Sequence, residues 1–457
     1  MKIIKFGGNC LESSNDFKKI SEILKTDPMG GKVVVLSALF GITDILITGL
    51  NLKKLTENDI NTIVFKVKTV HYNIINEFFD SRKEKDNVIK IFKPYLSKLK
   101  KLFLAMLYTG ELSESLESSI QSFGERLSVV LFSLIMNREG LKTIPYFSDE
   151  IGIVNKGKEH LNCADLNQTK LNLIKAIPKI SKGVIPVITG YFAIDYNKRI
   201  STFGRNGSDY SASVIAYGFN AEVLEFWKNV PGFMSSDPVI VKNSKLIKEL
   251  SIDEAAELSY FGSSILHPRC LEPIRDTKTK IVIRNFADPE KESTTIKSRS
   301  SNGSEIVGVT FNEHISVLKI NGAGVGYKPG IIGNVGTILS SNNINIYSII
   351  TTQTSINLII DQKDLQRSNT ILRSLKDPII ESIKNERDLT LIAIVGKDIT
   401  RNNRSVKKLF FTLDKLGVNI EMISAGASDS AYYFLIKKDQ FERSINKIHD
   451  ELIFDSH

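Results

Sequence analysis

Short apolar runs alternate with longer helical patterns through residues 1–290, and this alternation limits the possible folds more than any other feature of the chain. The runs are continuous and rich in β-branched residues, as is typical of strands buried on both faces. They occupy residues 1–6, 32–37, 184–190, 221–227 and 281–284, and the helical patterns include 14–24 and 55–138. Strands that alternate with helices predict an α/β domain with three α/β/α layers and a mainly parallel sheet. Ligands of such sheets usually bind at the carboxyl ends of the strands.

Composition and charge exclude several classes of protein. The chain has 457 residues, of which 42% are hydrophobic, and a formal net charge of +9 at pH 7. Its lysines are scattered instead of clustered with aromatic residues, so we expect no nucleic-acid partner. No stretch approaches the ~18 apolar residues that cross a bilayer. No signal peptide is visible, so we expect no membrane association and a cytoplasmic location.

Three cysteines, Cys10, Cys163 and Cys270, lack the CxxC spacing of a disulfide framework or a zinc site. We therefore expect no protein-bound metal site and a reducing compartment. Cys10 is either an oxidation-sensitive thiol or a small neutral filler of the glycine turn in which it lies.

Two glycine-rich strings predict a site for phosphoryl transfer. The first is KFGG at residues 5–8, after an apolar run, and the second is GRNGSD at residues 204–209. Glycines let backbone N–H groups approach phosphate oxygens, while Lys5 and Arg205 offer positive charge that Asp209 can orient. The alternatives are an ordinary turn after the first strand and a local salt bridge between Arg205 and Asp209. The Walker pattern is missing from the sequence, so the chain is not an ordinary P-loop enzyme.

Two further segments favour contacts with a small substrate. Ser37 and Thr43 follow the second predicted strand, where hydroxyl groups and a helix N-terminus can bind a carboxylate, although helix capping would also explain them. Glu125 lies in an apolar helical segment, where its charge must be satisfied. It either faces a ligand ammonium or forms an ion pair with Arg126. His267 has no Cys or His partner at metal spacing, so we expect a structural role.

An internal repeat follows a polar segment. Residues 286–304 lack periodicity, and we assign 291–304 as a linker after a first domain of residues 1–290. Residues 316–322 resemble 390–396, and 344–346 resemble 418–420; both pairs are 74 residues apart. This spacing predicts two βαβ-containing modules, at 305–380 and 381–457, that pack together because each alone would bury a small core. The alternative is convergent α/β patterning.

Taken in order along the chain, these strings resemble the aspartate kinase family of the amino acid kinase superfamily. Further matches are WKNVPGFMSSDP at residues 227–238, FGSSILHP at 261–268, and residues 417–428 in the second repeat. The resemblance covers essentially the whole chain. It implies an amino acid kinase domain and two C-terminal ACT domains of ferredoxin-like βαββαβ order. It also implies that residues 306–312 lend a strand to the second ACT domain. Because the sequence ends after the second repeat, we expect no homoserine dehydrogenase half, which bifunctional relatives carry.

The family phosphorylates the side-chain carboxylate of L-aspartate with ATP, giving 4-phospho-L-aspartate on the path to lysine, threonine and methionine. The resemblance implies a monofunctional enzyme that uses ATP with nucleotide-bound Mg²⁺. The catalytic residues that it implies are Lys5, Arg205 and Asp209. Those implied to bind the substrate are Ser37, Thr43, Glu125, Arg205 and Ser208. Those implied to bind the nucleotide are Lys5, Gly7, Gly8, Lys228, Asn229, Met234 and Ser264.

Several positions depart from the family's usual residues, mostly on the nucleotide side. Asn9-Cys10 replaces Thr-Ser, Lys228-Asn229 replaces Thr-Asp, and Met234, Val239 and Ser264 replace Tyr, Arg and Lys. Two cations are lost and one is gained, so we expect altered contacts with ATP. Because Lys5, Glu125, Arg205 and Asp209 are retained, we expect an active kinase.

Regulation by an amino acid is a further implication of the resemblance, since ACT pairs in this family bind end products, chiefly lysine or threonine. The implied effector-binding residues are Lys328, Pro329, Gly330, Asn345, Ile346, Thr351 and Thr352. Tyr347 stands where lysine-sensitive members often carry Asp, which argues against lysine because its ammonium requires a carboxylate. We expect a homodimer or homotetramer that forms through the ACT domains.

Two other functions stay open from the sequence. Another amino acid kinase would act on glutamate, carbamate or UMP, although such relatives generally lack the paired ACT repeat. A non-catalytic amino acid sensor would use the ACT pair alone and would not need MgATP.

Overall fold

The computed structural model describes residues 1–157, 161–177, 183–262, 265–298, 306–374, 378–397, 399 and 403–454. The chain forms two compact units. The first comprises Met1–Phe233, Lys248–Ile252 and Ile265–Ser301, and the second comprises Met234–Ile247, Asp253–Ser264 and Asn302–His457. Within the described ranges, no helix combines the length and the apolar character needed to cross a bilayer.

An eight-stranded sheet organises the first unit. Its strands are β1 (Lys2–Phe6), β2 (Lys32–Leu36), β3 (Lys142–Tyr146), β4 (Val184–Thr189), β7 (Val223–Lys228), β8 (Glu249–Ser251), β9 (Lys280–Asn285) and β10 (Thr294–Lys297). A separate hairpin consists of β5 (Phe192–Ile194) and β6 (Ile200–Thr202). The order of the strands across the sheet is β3-β4-β2-β1-β7-β9-β10-β8. Neighbouring strands run parallel, except that β10 runs antiparallel to β9. The predicted mainly parallel sheet is confirmed.

Helices cover both faces of this sheet, as predicted. They are α1 (Ser14–Thr26), α2 (Ile42–Leu50), α3 (Glu57–Phe78), α4 (Arg82–Thr109), α5 (Glu114–Gln121), α6 (Phe123–Arg138), α7 (Leu166–Ala176) and α8 (Gly207–Gly218). Ile4 and Phe6 of β1 pack in a core with side chains of α1, α3, α4 and α6. Ile3 and Lys5 face the opposite side because side chains alternate along a strand. On that side, α8 packs against β1, β2 and β7.

The structure differs from the predictions at the sheet edges. All five predicted strands form, but β3, β8 and β10 were not predicted. The linker assigned at residues 291–304 is wrong for Thr294–Lys297, which forms β10. That segment pairs with β9 on one side and β8 on the other, and Thr294 and Ile296 are buried. Four residues between polar neighbours are too few to show a strand period, so tertiary pairing decides their conformation. Residues 299–304 lie outside the described part of the chain.

The second unit contains a six-stranded antiparallel sheet of order β12-β13-β11-β14-β16-β15. Its strands are β11 (Gly308–Asn321), β12 (Ile346–Thr351), β13 (Ser355–Asp361), β14 (Ser382–Val395), β15 (Met422–Ser424) and β16 (Ala431–Lys437). The helices of the repeats are α10 (Ile331–Ser341), α11 (Leu365–Arg373), α12 (Asn403–Lys415) and α13 (Phe441–His449). The second unit also contains helix α9 (Ile252–Phe261), from its second residue, Asp253, onwards.

Two long strands belong to both repeats. The second half of β11 pairs with β13 and with the first half of β14, whereas residues 308–312 pair with the second half of β14. The register shifts between the halves, where Asp388 adopts a left-handed φ of 57°. Gly308–Asn312 thus pairs with the half of β14 that lies in the second repeat, which is compatible with the prediction that residues 306–312 lend a strand to it. Each repeat has its own apolar core under its helices, and a further cluster that includes Val317, Ile359 and Leu435 packs separately from these two cores.

Close backbone packing in the first repeat gives a test of the fold. The carbonyl oxygen of Thr352 lies where a Cβ on Gly326 would be placed, whereas nothing lies within 4 Å of the corresponding point on Gly336 in α10. We expect Gly326→Ala to lower the free energy of unfolding by about 1–3 kcal/mol, because backbone must move. The control Gly336→Ala should be neutral or stabilising by up to about 1 kcal/mol, since Ala favours a helix. Denaturant unfolding of both variants measures the difference, and equal stabilities would contradict the packing.

Candidate active site

A cavity of about 390 Å³ lies in the first unit, and the residues around it come from the carboxyl ends of β1, β2 and β7. Because these strands are neighbours in a parallel sheet, their carboxyl ends meet at one edge. Ten residues predicted from the sequence line this cavity: Lys5, Gly7, Gly8, Ser37, Thr43, Glu125, Ser208, Asp209, Lys228 and Asn229. The structure therefore brings together side chains that are up to 224 residues apart in the chain.

Asp209 binds two lysines at the centre of the site. Its Oδ1 forms an ion pair with Lys5 Nζ, and its Oδ2 lies 2.6 Å from Lys228 Nζ. Lys5 comes from β1 and Lys228 ends β7, while Asp209 is in the first turn of α8 on the same face of the sheet. Burial alone would raise the pKa of Asp209, but the charges of Lys5 and Lys228 outweigh it and lower the pKa to about 2. The carboxylate is therefore ionised and holds both ammonium groups in place. The alternative salt bridge between Arg205 and Asp209 is wrong.

Glu125 is the second buried carboxyl group of the cavity. Its Oε1 accepts hydrogen bonds from Ala38 N at 3.1 Å and from Ser208 Oγ at 3.4 Å, while Oε2 has no partner within the described structure. Burial raises the pKa of Glu125 to about 8, against the opposing effects of these two donors and Lys5. The alternative ion pair with Arg126 is wrong, since Arg126 Nη2 contacts Asp149 Oδ2 at 2.7 Å. A buried carboxyl oxygen without a partner is suited to bind a ligand ammonium.

Small residues let the elements of the site approach closely. A Cβ on Gly124 would lie 2.7 Å from Cβ of Ala38, so the glycine allows α6 to bring Glu125 against the end of β2. A Cβ on Gly190 would lie 2.7 Å from Cβ of Ser208 and 3.0 Å from the carbonyl oxygen of Leu36. Both glycines are therefore needed for close packing around the cavity.

The segment after β2 presents polar groups to the cavity without capping a helix through a side chain. The N-cap of α2 is Gly41, with a left-handed φ of 73° and no side-chain hydrogen bond. Capping therefore does not explain Ser37 or Thr43, both of which line the cavity. Cys10 also lines it, but burial raises the pKa of its thiol to about 11, and Sγ lies 3.5 Å from the carbonyl oxygen of Trp227. This environment favours a neutral filler over a reactive thiol.

Three predicted site residues are not placed in this cavity. Arg205 is exposed in the turn before α8 and is not among the residues that line the cavity, although its neighbour Asn206 is. Met234 belongs to the second unit, where it forms an isolated β-bridge with Leu246. Ser264 lies outside the described residues. Their roles stay predictions. His267 accepts a hydrogen bond from Arg269 N at 3.2 Å, consistent with a structural role.

Several residues that line the cavity could not be predicted from the sequence. Asp44 is an exposed carboxylate at its edge, and Tyr191 has a left-handed φ of 74°, which is uncommon for an aromatic residue. Tyr191 Oη donates to Gln121 Oε1 at 2.7 Å, and its backbone lies next to Gly207 at the start of α8. Tyr191 lies between the short strands β4 and β5, where the sequence shows neither a hydrophobic period nor a motif from which its position could be predicted.

The cavity is a poor cage for a metal ion held by protein side chains alone. Of its carboxyl groups, Glu125 has a raised pKa and Asp209 binds lysines through both oxygens, so Asp44 is the carboxylate left for other ligands. Within the described residues, no group of three or more His, Cys, Asp or Glu side chains has metal-binding geometry. Mg²⁺ often binds through substrate phosphates and water, with few protein ligands.

The predicted effector residues lie in the first repeat of the second unit. Gly330 adopts a left-handed φ of 95° and begins α10, and the N–H of Lys328 donates to the carbonyl oxygen of Gly324 at 3.0 Å. Thr352 Oγ1 and Ser355 Oγ are 2.8 Å apart at the turn after β12. The ring of Tyr347 lies 5.7 Å from that of Tyr260. Whether these residues bind an effector stays a prediction.

Comparisons with known proteins agree with this architecture. A model of the amino acid kinase family matches residues 1–285, and two ACT domain models match residues 310–374 and 392–452. The chain is 29% identical to a bifunctional aspartokinase/homoserine dehydrogenase of Buchnera aphidicola, over 99% of this chain but only 57% of that protein's length. It is 26% identical to lysine-sensitive aspartokinase 3 of Escherichia coli over 98% of both. The crystal structure of E. coli aspartokinase III with aspartate and ADP has the same fold, with a TM-score of 0.82 at 23% identity over 99% of each chain. Since the kinase family model matches well over half of its length, this chain belongs to the amino acid kinase family.

Proposed function

We propose that this protein is an aspartate kinase, which transfers the γ-phosphoryl group of ATP to the side-chain carboxylate of L-aspartate. The observation that carries the proposal is one cavity that holds a pair of lysines clamped by Asp209 and, beside them, the buried carboxyl group of Glu125. The relatives named aspartokinase, and the E. coli enzyme solved with aspartate and ADP, support this substrate pair. The proposed product is 4-phospho-L-aspartate.

The chemistry requires charge neutralisation more than proton transfer. A carboxylate is already a nucleophile at neutral pH, so its oxygen attacks the γ-phosphorus while the bond to the β–γ bridging oxygen breaks and ADP leaves with that electron pair. The main barrier is repulsion between two anions. Lys5, Lys228 and the backbone N–H groups of Gly7 and Gly8 are the positive groups that oppose it. Mg²⁺ bound to the nucleotide would further neutralise phosphate charge.

The aspartate would bind through both of its other charged groups. Glu125 lies beside Ser208 and Ala38, and its free oxygen accepts the substrate ammonium in this proposal. Arg205 is exposed in the turn before α8, from which it binds the substrate carboxylate. Ser37 and Thr43 supply hydroxyl groups to the same cavity. Asn229 and Met234 belong to the proposed nucleotide side, and Ser264 is assigned there from the sequence resemblance alone.

The second unit is proposed to regulate the enzyme and to join subunits. Its two regions matched by ACT models support amino acid binding and assembly into a homodimer or homotetramer. The E. coli relative is named lysine-sensitive, but Tyr347 in this chain offers no carboxylate for a lysine side chain, so the effector stays unassigned. The three cysteines are free, which is compatible with the reducing cytoplasm expected from the sequence.

Removal of either clamped lysine tests the assignment of the site. We expect Lys5→Met to lower turnover by about 10²–10³-fold, because it removes a donor to the transferring phosphoryl group. Lys228→Met should chiefly lower kcat/KM for ATP, by about ten-fold or more. The measurement is formation of aspartyl hydroxamate from MgATP, aspartate and hydroxylamine.

The control for these variants is Lys83→Met on the exposed surface of α4, which should behave as the parent protein. Glutamate replaces aspartate in a parallel reaction to separate this function from that of another amino acid kinase. Near-normal kinetics of Lys5→Met, or product with glutamate instead of aspartate, would refute the proposal. Failure of the parent protein to bind MgATP would favour a non-catalytic sensor.

The raised pKa of Glu125 predicts a proton release on substrate binding. With a pKa of about 8, the free carboxyl group is mostly protonated at pH 7, and an ammonium ligand requires its ionised form. We expect about one proton to be released per aspartate bound at pH 7, falling as the pH rises above 8. Titration calorimetry in phosphate and in Tris measures this through the buffer dependence of the heat.

The same shift predicts how stability depends on pH. The pKa of Glu125 is higher in the folded state than in the unfolded state, so its protonation contributes to the free energy of unfolding. This stabilising contribution is fully present below the ordinary pKa of a glutamate and is lost as the pH rises through about 8. Glu125→Gln should abolish the proton release and flatten this loss, whereas Glu77→Gln on the exposed face of α3 should change neither. A binding heat independent of the buffer would exclude the role of Glu125.

Arg205 gives a separate test, since its assignment comes from the sequence and its side chain is exposed in the unliganded protein. We expect Arg205→Ala to raise the KM for aspartate by at least about ten-fold through loss of a charge-assisted contact. The KM for ATP should change less. Arg82→Ala at the exposed start of α4 serves as the matched control. An unchanged KM for aspartate would remove Arg205 from the site.

A further inference from the structure

The turn that carries Arg205 has few contacts of its own to hold its shape. Gly204 and Asn206, on either side of Arg205, adopt left-handed φ values of 75° and 57°. The N–H of Gly207 donates to the carbonyl oxygen of Gly204 at 2.9 Å, but the side chain of Asn206 makes no capping hydrogen bond at the start of α8. A residue other than glycine keeps a positive φ only when its surroundings support it. Contacts from outside the turn therefore help to fix the position of Arg205.

Arg269 supplies such contacts from a distant part of the chain. It lies in the short 3-10 helix Pro268–Cys270. Its Nη1 donates to the carbonyl oxygen of Phe203 at 2.7 Å, immediately before the turn, and its Nη2 donates to the carbonyl oxygen of Asn162. The guanidinium carbon lies 4.2 Å from the centre of the Tyr210 ring, near the start of α8. One side chain thus contacts a residue before the turn and a residue after it.

A guanidinium group is well suited to this bridge. It is planar, so its edge can donate to carbonyl oxygens while its face stacks on an aromatic ring. Hydrogen bonds from a charged donor are stronger than those between neutral groups. The Tyr210 side of the contact is shielded from water, since Tyr210 is 3% exposed. Arg269 therefore ties the two ends of the turn to each other.

Phe203 links this bridge to the kinase cavity. Its N–H donates to the carbonyl oxygen of Tyr191 at 2.8 Å, and Tyr191 lines the cavity. The buried ring of Phe203 packs edge-to-face on that of Tyr210, with the ring centres 5.1 Å apart. Arg269 is not among the residues that line the cavity. Its influence on the cavity therefore passes through the residues at both ends of the turn.

The cavity residues of α8 itself have other supports. Asp209 binds Lys5 and Lys228, and Ser208 Oγ lies 3.4 Å from Glu125 Oε1. The helix also packs against β1, β2 and β7. Loss of Arg269 should therefore loosen the turn before α8 while the clamped lysines keep their positions.

The surroundings of His267 place the two arginines in one neighbourhood. Burial lowers the pKa of His267, and the charges of Arg269 and Arg205 lower it further. Both guanidinium groups therefore lie within electrostatic range of one imidazole. Because like charges repel, this region favours a bound carboxylate over an empty turn.

We propose that Arg269 is a positioning residue of this kinase, which holds both ends of the turn so that Arg205 meets the substrate carboxylate. The inference rests on the proposed function, because the contact between Arg205 and the carboxylate is part of that function. Arg269 acts through Arg205 and does not touch the substrate.

Kinetics of Arg269 variants test this role. We expect Arg269→Met to raise the KM for aspartate by about ten-fold or more, while kcat and the KM for ATP change by less than about three-fold. Arg269→Lys should recover part of the loss, because one ammonium can keep one carbonyl contact and the ring contact. The control Arg82→Met, at the exposed start of α4, should behave as the parent protein. An unchanged KM for aspartate in Arg269→Met would overturn the proposal.

A double-mutant cycle separates positioning from a general structural role. If Arg269 acts through Arg205, adding Arg269→Met to Arg205→Ala should raise the KM for aspartate little further. Independent effects would instead multiply, and the same fold-change in both backgrounds would contradict the proposal. If Arg269→Met fails to fold, Arg269→Lys takes its place in the cycle.

Hydrogen exchange tests the bridge without any kinase activity. In the full chain without ligands, we expect the amides of residues 203–210 to exchange about ten-fold faster in Arg269→Met than in the parent, and those of α1 to exchange equally in both. Equal exchange at residues 203–210 would show that Arg269 does not hold the turn. A parent protein that forms no aspartyl hydroxamate would refute the proposed function, and exchange would still decide whether Arg269 holds the turn.

Discussion

The kinase cavity depends on one buried carboxylate shared by two ammonium groups. Without Asp209, Lys5 and Lys228 would lie close together at the ends of neighbouring strands with no opposing charge, and their mutual repulsion would be uncompensated. With it, three charges form a cluster with a net charge of +1 that faces the cavity. Burial of these charged groups costs desolvation free energy. A bound anion would offset this cost, because desolvated positive groups attract an anion more strongly than hydrated ones do.

The two buried carboxyl groups of the cavity, those of Asp209 and Glu125, differ because their surroundings differ. Asp209 has a lysine at each oxygen and its pKa is lowered, whereas Glu125 has one amide and one hydroxyl donor at a single oxygen and its pKa is raised. One group is therefore an anion that holds two cations, and the other is mostly an uncharged acid at pH 7. Glu125 lies in the first turn of α6 and Asp209 in the first turn of α8. Two carboxyl groups with opposite pKa shifts in one cavity are typical of sites that bind charged ligands.

The sequence was sufficient to predict those cavity residues that lie at strand ends and in glycine-rich strings. Lys5, Gly7, Gly8 and Asp209 could be predicted because the chemistry of each string and its position after a strand agree. What could not be predicted is pairing over long distances in the chain. Nothing near Glu125 indicates that its neighbour Arg126 pairs with Asp149, and nothing near Thr294–Lys297 indicates that two other strands enclose it. Tyr191 was missed for the same reason, since its contacts exist only after the chain has folded.

The shared strands β11 and β14 have a consequence for how the two repeats can change. Each strand gives one half to either repeat, so no single cut in the chain yields two intact modules. A deletion of one repeat would leave the other with an unpaired strand edge, which is a hazard for aggregation. The two repeats can therefore be transferred to another protein as a pair, but not one at a time.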